Sequence, residues 1–289
     1  MQKGVTDNQK MLPIYLEAGF VPESQKKDLK HFGSVALGIR VIQQERTWIS
    51  VPYSPWGGFF STSITNHDDF NGLLLLLKSE GQKSGVTELV IKQPPMIYAH
   101  QISAEYLMQK GFKIIQQEHN QFIDLTKPIK LHAMEKRKLD ALSDAYIVEP
   151  STAWDKLHNF IASCRSQQGL SINVTLDRLN SLIKLFPTKY DGWVIKKGTK
   201  IISACITVQV TPTHIYYYLP ATDYAARAQS PMVSLLVHMI DHYSAIGFRF
   251  FDLGQSSING IKQEGLFAFK ERMGAKDTPK NTLSLDLTL

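Results

Sequence analysis

The sequence predicts an α/β (α+β) protein built as two successive domains, each a mixed, mostly antiparallel sheet flanked by helices. Three observations lead there. The chain has 289 residues, 43% of them apolar, which is long for one hydrophobic core and enough for two. Its halves repeat one pattern: SGVTELVIKQPP from Ser84 aligns without a gap on IGFRFFDLGQSS from Ile246. Each shows a glycine that ends a helix, a seven-residue strand and a polar exit at Gln93 or Gln255. Finally, each half has antiparallel strand pairs upstream of a strand, long helix and strand, the order of a right-handed parallel crossover. The division this implies is 1–125 and 126–289.

The elements of the first half follow from periodicity. SVALGIRV and TWISVPY alternate as paired strands. A long helix opens at Asn66 or Asp68 and repeats apolar residues at Phe70, Leu73, Leu74 and Leu77. The strand after Ser84 comes next, then a short helix, AEYLMQKG, ended by Gly111, and the strand FKIIQQEHNQFIDL. In the second half WVIKK and KIISACITVQV flank a Gly-Thr turn suited to a hairpin. Strand HIYYYLP leads into a helix with Ser230 as N-cap, Pro231 at its first position, and Met232, Leu235, Leu236, Met239, Ile240 and Tyr243 on its apolar face. The strand RFFDLG, the helix LFAFKERMG ended by Gly274 and the strand NTLSLDL complete the copy.

Composition excludes several classes. The N-terminus MQKGVTDNQK lacks the apolar stretch of a secretory signal, and the leucine run Leu73 to Leu77 is too short for a bilayer. A cytoplasmic protein without stable membrane insertion is the expectation. Two cysteines, Cys164 and Cys205, cannot build a disulfide framework or metal cluster. His238 and His242 lie one helical turn apart with no acid or cysteine to complete a metal site, so no metal is expected. The formal charge of +6 favours anionic partners, but its lysines and arginines are dispersed and no block resembles a DNA-binding arm.

Ligands of open α/β sheets bind beyond the carboxyl ends of the strands. In the second half those ends hold Tyr218, Asp252, Gly254, Gln255 and Ser256. The helix N-terminus at Ser230-Pro231, with Arg227 just outside it, is a natural phosphate seat at the same mouth. The first copy lacks these groups: Val90 stands opposite Asp252, and Leu107 opposite Lys270. The first copy therefore reads as scaffold and the second as the working half. Asp252 alternates with Phe248 and Phe250, and an acid on such a face needs a lysine, an arginine or a backbone N–H as partner. It reads either as a ligand-facing acid or as the tether of the next loop. Lys270 falls one position beyond the stripe of Leu266, Phe269 and Met273, which by spacing alone favours a solvated lysine.

The stretch from Leu235 to Ala275, a long helix followed by GFRFFDLGQSS and GLFAFKERMGA, resembles the C-terminal signature of the Fem-type aminoacyltransferases and their FemAB-like relatives. VPYSPWGGFF from Val51 and HIYYYLPATD with SPMVSLL are similar to further passages of that family. The resemblance implies two tandem copies of the GCN5-related N-acetyltransferase (GNAT) fold. It also implies that Phe269 and Lys270 line a catalytic cleft, with Lys270 stabilising the oxyanion of acyl transfer, and that Tyr218 and Arg227 grip the acceptor or the donor's phosphates. Acyl-CoA or aminoacyl-tRNA is then the donor co-substrate, with no permanently bound cofactor, and the acceptor an amine of a cell-wall (peptidoglycan) precursor or small metabolite. Two departures leave both donors open: the long helical hairpin associated with transfer RNA has no candidate, and YAARAQSPM before Met232 does not show the usual coenzyme A loop.

The sequence thus points to an N-acyltransferase with catalytic candidates Lys270, Phe269 and Asp252 and substrate-binding candidates Tyr218, Arg227, Ser230, Gln255 and Ser256. Two other classes stand beside it. One is a non-catalytic protein of the same fold that binds an anionic metabolite; the other is an interaction protein assembled through the PYSPWGG loop with Tyr53 and Trp56.

Overall fold

A computed structural model describes residues 13–34, 36–51, 53–61, 67–98, 102–142 and 146–288. The chain divides into two compact units, Met1–Gln117 with Pro279–Leu289, and Glu118–Thr278.

The first unit begins with a short helix α1 (Glu23–Lys26), then β1 (Leu29–Gly33), β2 (Leu37–Gln44), β3 (Thr47–Ser50) and β4 (Phe59–Ser61). Helix α2 (His67–Ser84), β5 (Glu88–Lys92) and α3 (Ala104–Gln109) follow, and β6 (Lys113–Asp124) leaves the unit. The α2 stripe Phe70, Leu73, Leu74 and Leu77 is buried as its spacing requires, against Ile39, Val41, Trp48, Leu89 and Ile91 of the strands. The expected start at Asn66 lies outside the described residues. Gly85 and Gly111 adopt φ of +67° and +93°, the left-handed conformation that ends a helix without a Cβ clash. Trp56 is buried against Tyr15 and Tyr98, so the loop proposed as an adhesive tip is a packed corner around its tryptophan.

The second unit starts on β6 and continues with α4 (Ala133–Ala141), β7 (Tyr146–Pro150), α5 (Trp154–Ser166) and α6 (Leu176–Leu185). Strands β8 (Tyr190–Lys197), β9 (Lys200–Thr211) and β10 (His214–Thr222) come next, then a 3₁₀ turn (Tyr224–Gln229), α7 (Pro231–Ala245) and β11 (Phe250–Gln255). A hairpin of β12 (Ser257–Ile258) and β13 (Ile261–Lys262) leads to α8 (Glu264–Arg272), and β14 (Lys276–Asp286) ends the chain. The strand order in this unit is β6-β11-β10-β9-β8-β7. All neighbours are antiparallel except β10 and β11, which pair in parallel across the α7 crossover, the arrangement the repeat pattern predicts.

The two faces of this sheet are occupied by different helices. A Cβ on Gly192 would lie 2.2 Å from the Ser151 carbonyl oxygen and 2.5 Å from Leu157 Cδ1, so α5 presses on that face of β8. Trp193, the next residue, points to the other face, where its indole N–H donates to the Tyr243 hydroxyl of α7 at 2.9 Å. Leu235, Leu236, Met239 and Ile240 of α7 complete that core with Phe251, Leu253 and Met273.

The sequence division put the whole C-terminal segment with the second half. Its final stretch pairs with β5 instead, Thr282 to Asp286 opposite Lys92 to Glu88, because Leu283 and Leu285 alternate into the core of the first unit. The helix pair α5–α6, helix α4, the strand β7 and the β12–β13 hairpin are elements that the repeat pattern did not contain.

Candidate functional site

The site grows out of a break in the sheet. β10 and β11 pair only as far as Tyr216 and Asp252. Beyond that point β10 continues to Thr222 bonded to β9 alone, and β11 continues to Gln255 bonded to β6 alone. The β11–β6 register slips between Asp252 and Gly254, a bulge of the kind that re-aims a strand next to a ligand. Gly254 sits at φ +74°, and a Cβ there would lie 3.2 Å from the Tyr216 ring and hydroxyl. Both features call for glycine.

Lys270 fills the backbone polar vacancy that this break creates. Its ammonium donates to the Gly254 carbonyl at 2.8 Å and the Gln255 carbonyl at 2.9 Å. The side chain belongs to a residue only 3% exposed, whereas Leu266 of the same helix is 44% exposed. The spacing that favoured a solvated lysine is therefore overturned: α8 turns its lysine inward and leaves its leucine at the surface. Burial lowers the Lys270 pKa to about 8, and the Asp252 carboxylate offsets this in part. An ammonium has three donors, so the two carbonyls leave one N–H for another acceptor.

Lys270 and Phe269 line a cavity of about 550 Å3 together with Tyr217, Leu253, Val233, Leu236, Arg227 and Ser230. It is an apolar chamber with cations at its rim, the composition of a small-molecule site. Arg227 is exposed and stacks over the Tyr224 ring at 5.1 Å. Lys138 of α4 also reaches the lining, held by the buried carboxylate of Glu135 at 2.9 Å. The same carboxylate accepts from Arg272 at 2.7 Å, which ties the end of α8 to α4. Burial would raise the Glu135 pKa, but Arg272 and Lys138 together hold it below the usual carboxylate value. Ser230 caps α7 through its backbone in the left-handed conformation, φ +51°, without a side-chain capping bond. The phosphate seat expected there is smaller than the sequence implied, since Pro231 brings no N–H and the Val233 N–H is taken by the Ser230 carbonyl.

The structure thus brings Lys270, Phe269, Arg227 and Ser230 to one cavity and leaves the other candidates outside its lining. Asp252, 1% exposed, accepts from Asn120 at 2.7 Å and from the Gly254 N–H at 2.8 Å, which is the tether reading of this acid. Ser256 is fully buried and donates to Gln121 at 2.7 Å. Gln255 offers its carbonyl to Lys270, while its side chain bonds the Ser257 carbonyl. Tyr218 is absent from the cavity lining, and its ring lies beside Tyr216 with centroids 6.1 Å apart. Lys138, Leu253 and Tyr217 were missed, although Glu135 and Lys138 at i, i+3 spacing were a readable sign of an ordered cation.

Among the described residues no group of three or more histidines, cysteines, aspartates or glutamates is placed to hold a metal. Cys164 and Cys205 are buried free thiols, and no described helix is long and apolar enough to cross a membrane.

Residues 136–270 match the family model of the acetyltransferase (GNAT) domain, a span that runs from α4 to Lys270. The fold is similar to that of FemX at 13% identity and a TM-score of 0.68, covering 100% of this chain and 98% of that one. It is similar to L-PGS from Bacillus licheniformis at 11% identity and a TM-score of 0.63, covering 97% and 88% of the two chains. A tandem GNAT protein from the clavulanic acid biosynthesis pathway aligns at 9% identity and a TM-score of 0.50, covering 89% and 85%. A search of curated protein sequences finds no match. The chain is an α/β protein of tandem GNAT-like domains, and the family match on its second half supports an acyltransferase.

Proposed function

We propose that this protein is an N-acyltransferase whose second unit carries the reaction. One observation carries the reading: a buried ammonium, Lys270, is fixed by two backbone carbonyls at the wall of an apolar cavity, where the strands part. In the reaction the amine nitrogen attacks the donor's acyl carbon, a C–N bond forms, and the C–S or C–O bond to the carrier breaks. The amine gives up one proton and the carrier leaves as a thiol or hydroxyl carrying one. The intermediate bears a negative oxygen. The remaining N–H of Lys270 meets that oxygen beside Phe269 in a low-dielectric wall, where one such donor contributes about 3 kcal/mol to the transition state. The Gly254 and Gln255 carbonyls hold the ammonium in place before the charge appears, so no reorganisation is needed as the oxygen becomes anionic.

Arg227 and Lys138 at the cavity rim support a donor with phosphates, either acyl-CoA or aminoacyl-tRNA. FemX and L-PGS as fold neighbours favour an aminoacyl donor and an envelope-related acceptor, and the two free thiols fit a reducing, cytoplasmic compartment. Asp252 acts in this reading as a positioning residue: it holds the Gly254 N–H so that the carbonyl of the same residue meets Lys270.

The test is turnover. Purified protein incubated with a panel of acyl-CoA and aminoacyl-tRNA donors and amine acceptors is expected to release free carrier and form an amide, seen by mass spectrometry. Donors that bind and shift the melting temperature yet stay intact with every acceptor are the result expected of a protein that keeps the fold only to bind an anionic metabolite.

A further inference from the structure

The two carbonyls that hold Lys270 belong to the exit of β11, whereas the lysine belongs to α8. An ammonium nitrogen is tetrahedral, so once Cε and two N–H bonds are directed, the third N–H has a single direction left. Where it points is set by how α8 lies against Gly254 and Gln255.

Ser256, the residue after those carbonyls, is the joint between them. Its N–H donates to the His119 carbonyl of β6 at 2.7 Å, and its carbonyl accepts from the Gln263 N–H at the start of α8 at 2.8 Å. Its hydroxyl donates to the side-chain carbonyl of Gln121 at 2.7 Å. The other end of that amide donates to the Phe267 carbonyl of α8 at 3.1 Å, one turn before Lys270. Gln121 stands opposite Gly254 in the β6–β11 pairing, at the edge of the bulge. Its neighbour Asn120 bonds Asp252, whose carboxylate takes the Gly254 N–H, so two successive residues of β6 fix the bulge.

The burial of Gln121 points past packing. The residue is 0% exposed, and taking an amide out of water costs free energy that its two hydrogen bonds must offset. An apolar side chain of similar volume would pack there without that cost. What the amide adds is direction, a donor and an acceptor held at a fixed separation and each confined in angle.

We propose that Gln121 is a positioning residue for the reaction: its buried amide holds α8 and the β11 exit at the spacing from which Lys270 aims its remaining N–H into the cavity. The role rests on the acyl-transfer reading, and it assigns the aim of the lysine to a side chain outside the cavity.

Gln121→Met keeps length and volume and removes both bonds. In that variant kcat is expected to fall about tenfold or more while KM for the donor stays near the wild-type value, because a misaimed N–H is lost in the transition state rather than in binding. The lysine is also read without turnover, by NMR titration of protein labelled in its lysines, the Lys270 signal being the one absent from Lys270→Met. Its pKa, about 8 in the wild type, is expected to move by about half a unit or more, upward where water reaches the ammonium and downward where a carbonyl is lost. Ser256→Ala frees one end of the amide only; it is expected to give a smaller change of the same sign, and it carries the test should Gln121→Met fail to fold. A Lys270 titration that does not move in the folded variants overturns the role, and so does an unchanged kcat where the wild type turns over. If the wild type converts no donor, acyl transfer itself fails, and the titration still decides whether Gln121 sets the place of the lysine.

Discussion

A lysine buried by two carbonyls carries a thermodynamic signature of its own. The unfolded chain binds the Lys270 proton up to a pKa of about 10.4, whereas the folded protein releases it at about 8. Between those values the unfolded state holds more protons, so stability is expected to rise with pH across that window. Lys270→Met should remove that slope in chemical denaturation. Activity should move the other way, because it is the cation that meets the oxyanion: kcat is expected to fall as pH passes about 8. Lys270→Arg, if it retains measurable turnover, should lose that descending limb. Gly254 is the second residue with a sharp test. Its φ of +74° and the 3.2 Å approach of Tyr216 lead us to expect Gly254→Ala to cost about 1 to 3 kcal/mol in denaturant unfolding. The sequence named Lys270 through family resemblance, while helical spacing argued for exposure. Spacing failed because it weighs hydrophobicity alone, and the carbonyls that draw the ammonium inward are exposed by a bulge it cannot register.

At the level of elements, periodicity located α2, α7 and α8 and the parallel step from β10 to β11, all of which bury one apolar stripe or alternate across a sheet. It passed over α5, although Leu157, Ile161 and Cys164 repeat at helical spacing and are buried. That segment has no match in the first half, so a reading led by the repeat gave it no place; its N-cap, Ala153, also makes no side-chain bond that would mark a start. The divergence of β10 and β11 was invisible for a different reason. Strand pairing is a property of two segments at once, and neither HIYYYLP nor RFFDLG carries a breaker between Tyr216 and Leu219 or at Asp252. The anchoring of α8 is likewise tertiary. Glu135 is fully buried at its carboxylate and bonds both Arg272 and Lys138, so Glu135→Gln is expected to destabilise the protein by roughly 2 to 3 kcal/mol at neutral pH, the partners being partly solvated. Glu135 is held below its unfolded pKa; its contribution is therefore present above about pH 4.3 and lost as pH falls further. The gap in stability between wild type and Glu135→Gln should close on acidification.

Across the whole chain, two tandem GNAT-like units account for the architecture, and in the function proposed above the difference between them accounts for the site. Leu107, which aligns with Lys270, lies fully buried in an apolar core, so the first unit spends on packing the position that the second spends on a charge. Fold likeness at 9 to 13% identity fixes the tandem arrangement and leaves chemistry to be argued from the site itself. The central claim is that one inward ammonium in the second unit stabilises the anion of acyl transfer. It is tested most directly by comparing kcat of Lys270→Met with wild type on the same donor and acceptor, with the melting temperature recorded for both. The account expects a loss of about 100-fold or more, with the melting temperature nearly unchanged. A folded Lys270→Met enzyme that turns over at the wild-type rate would contradict it.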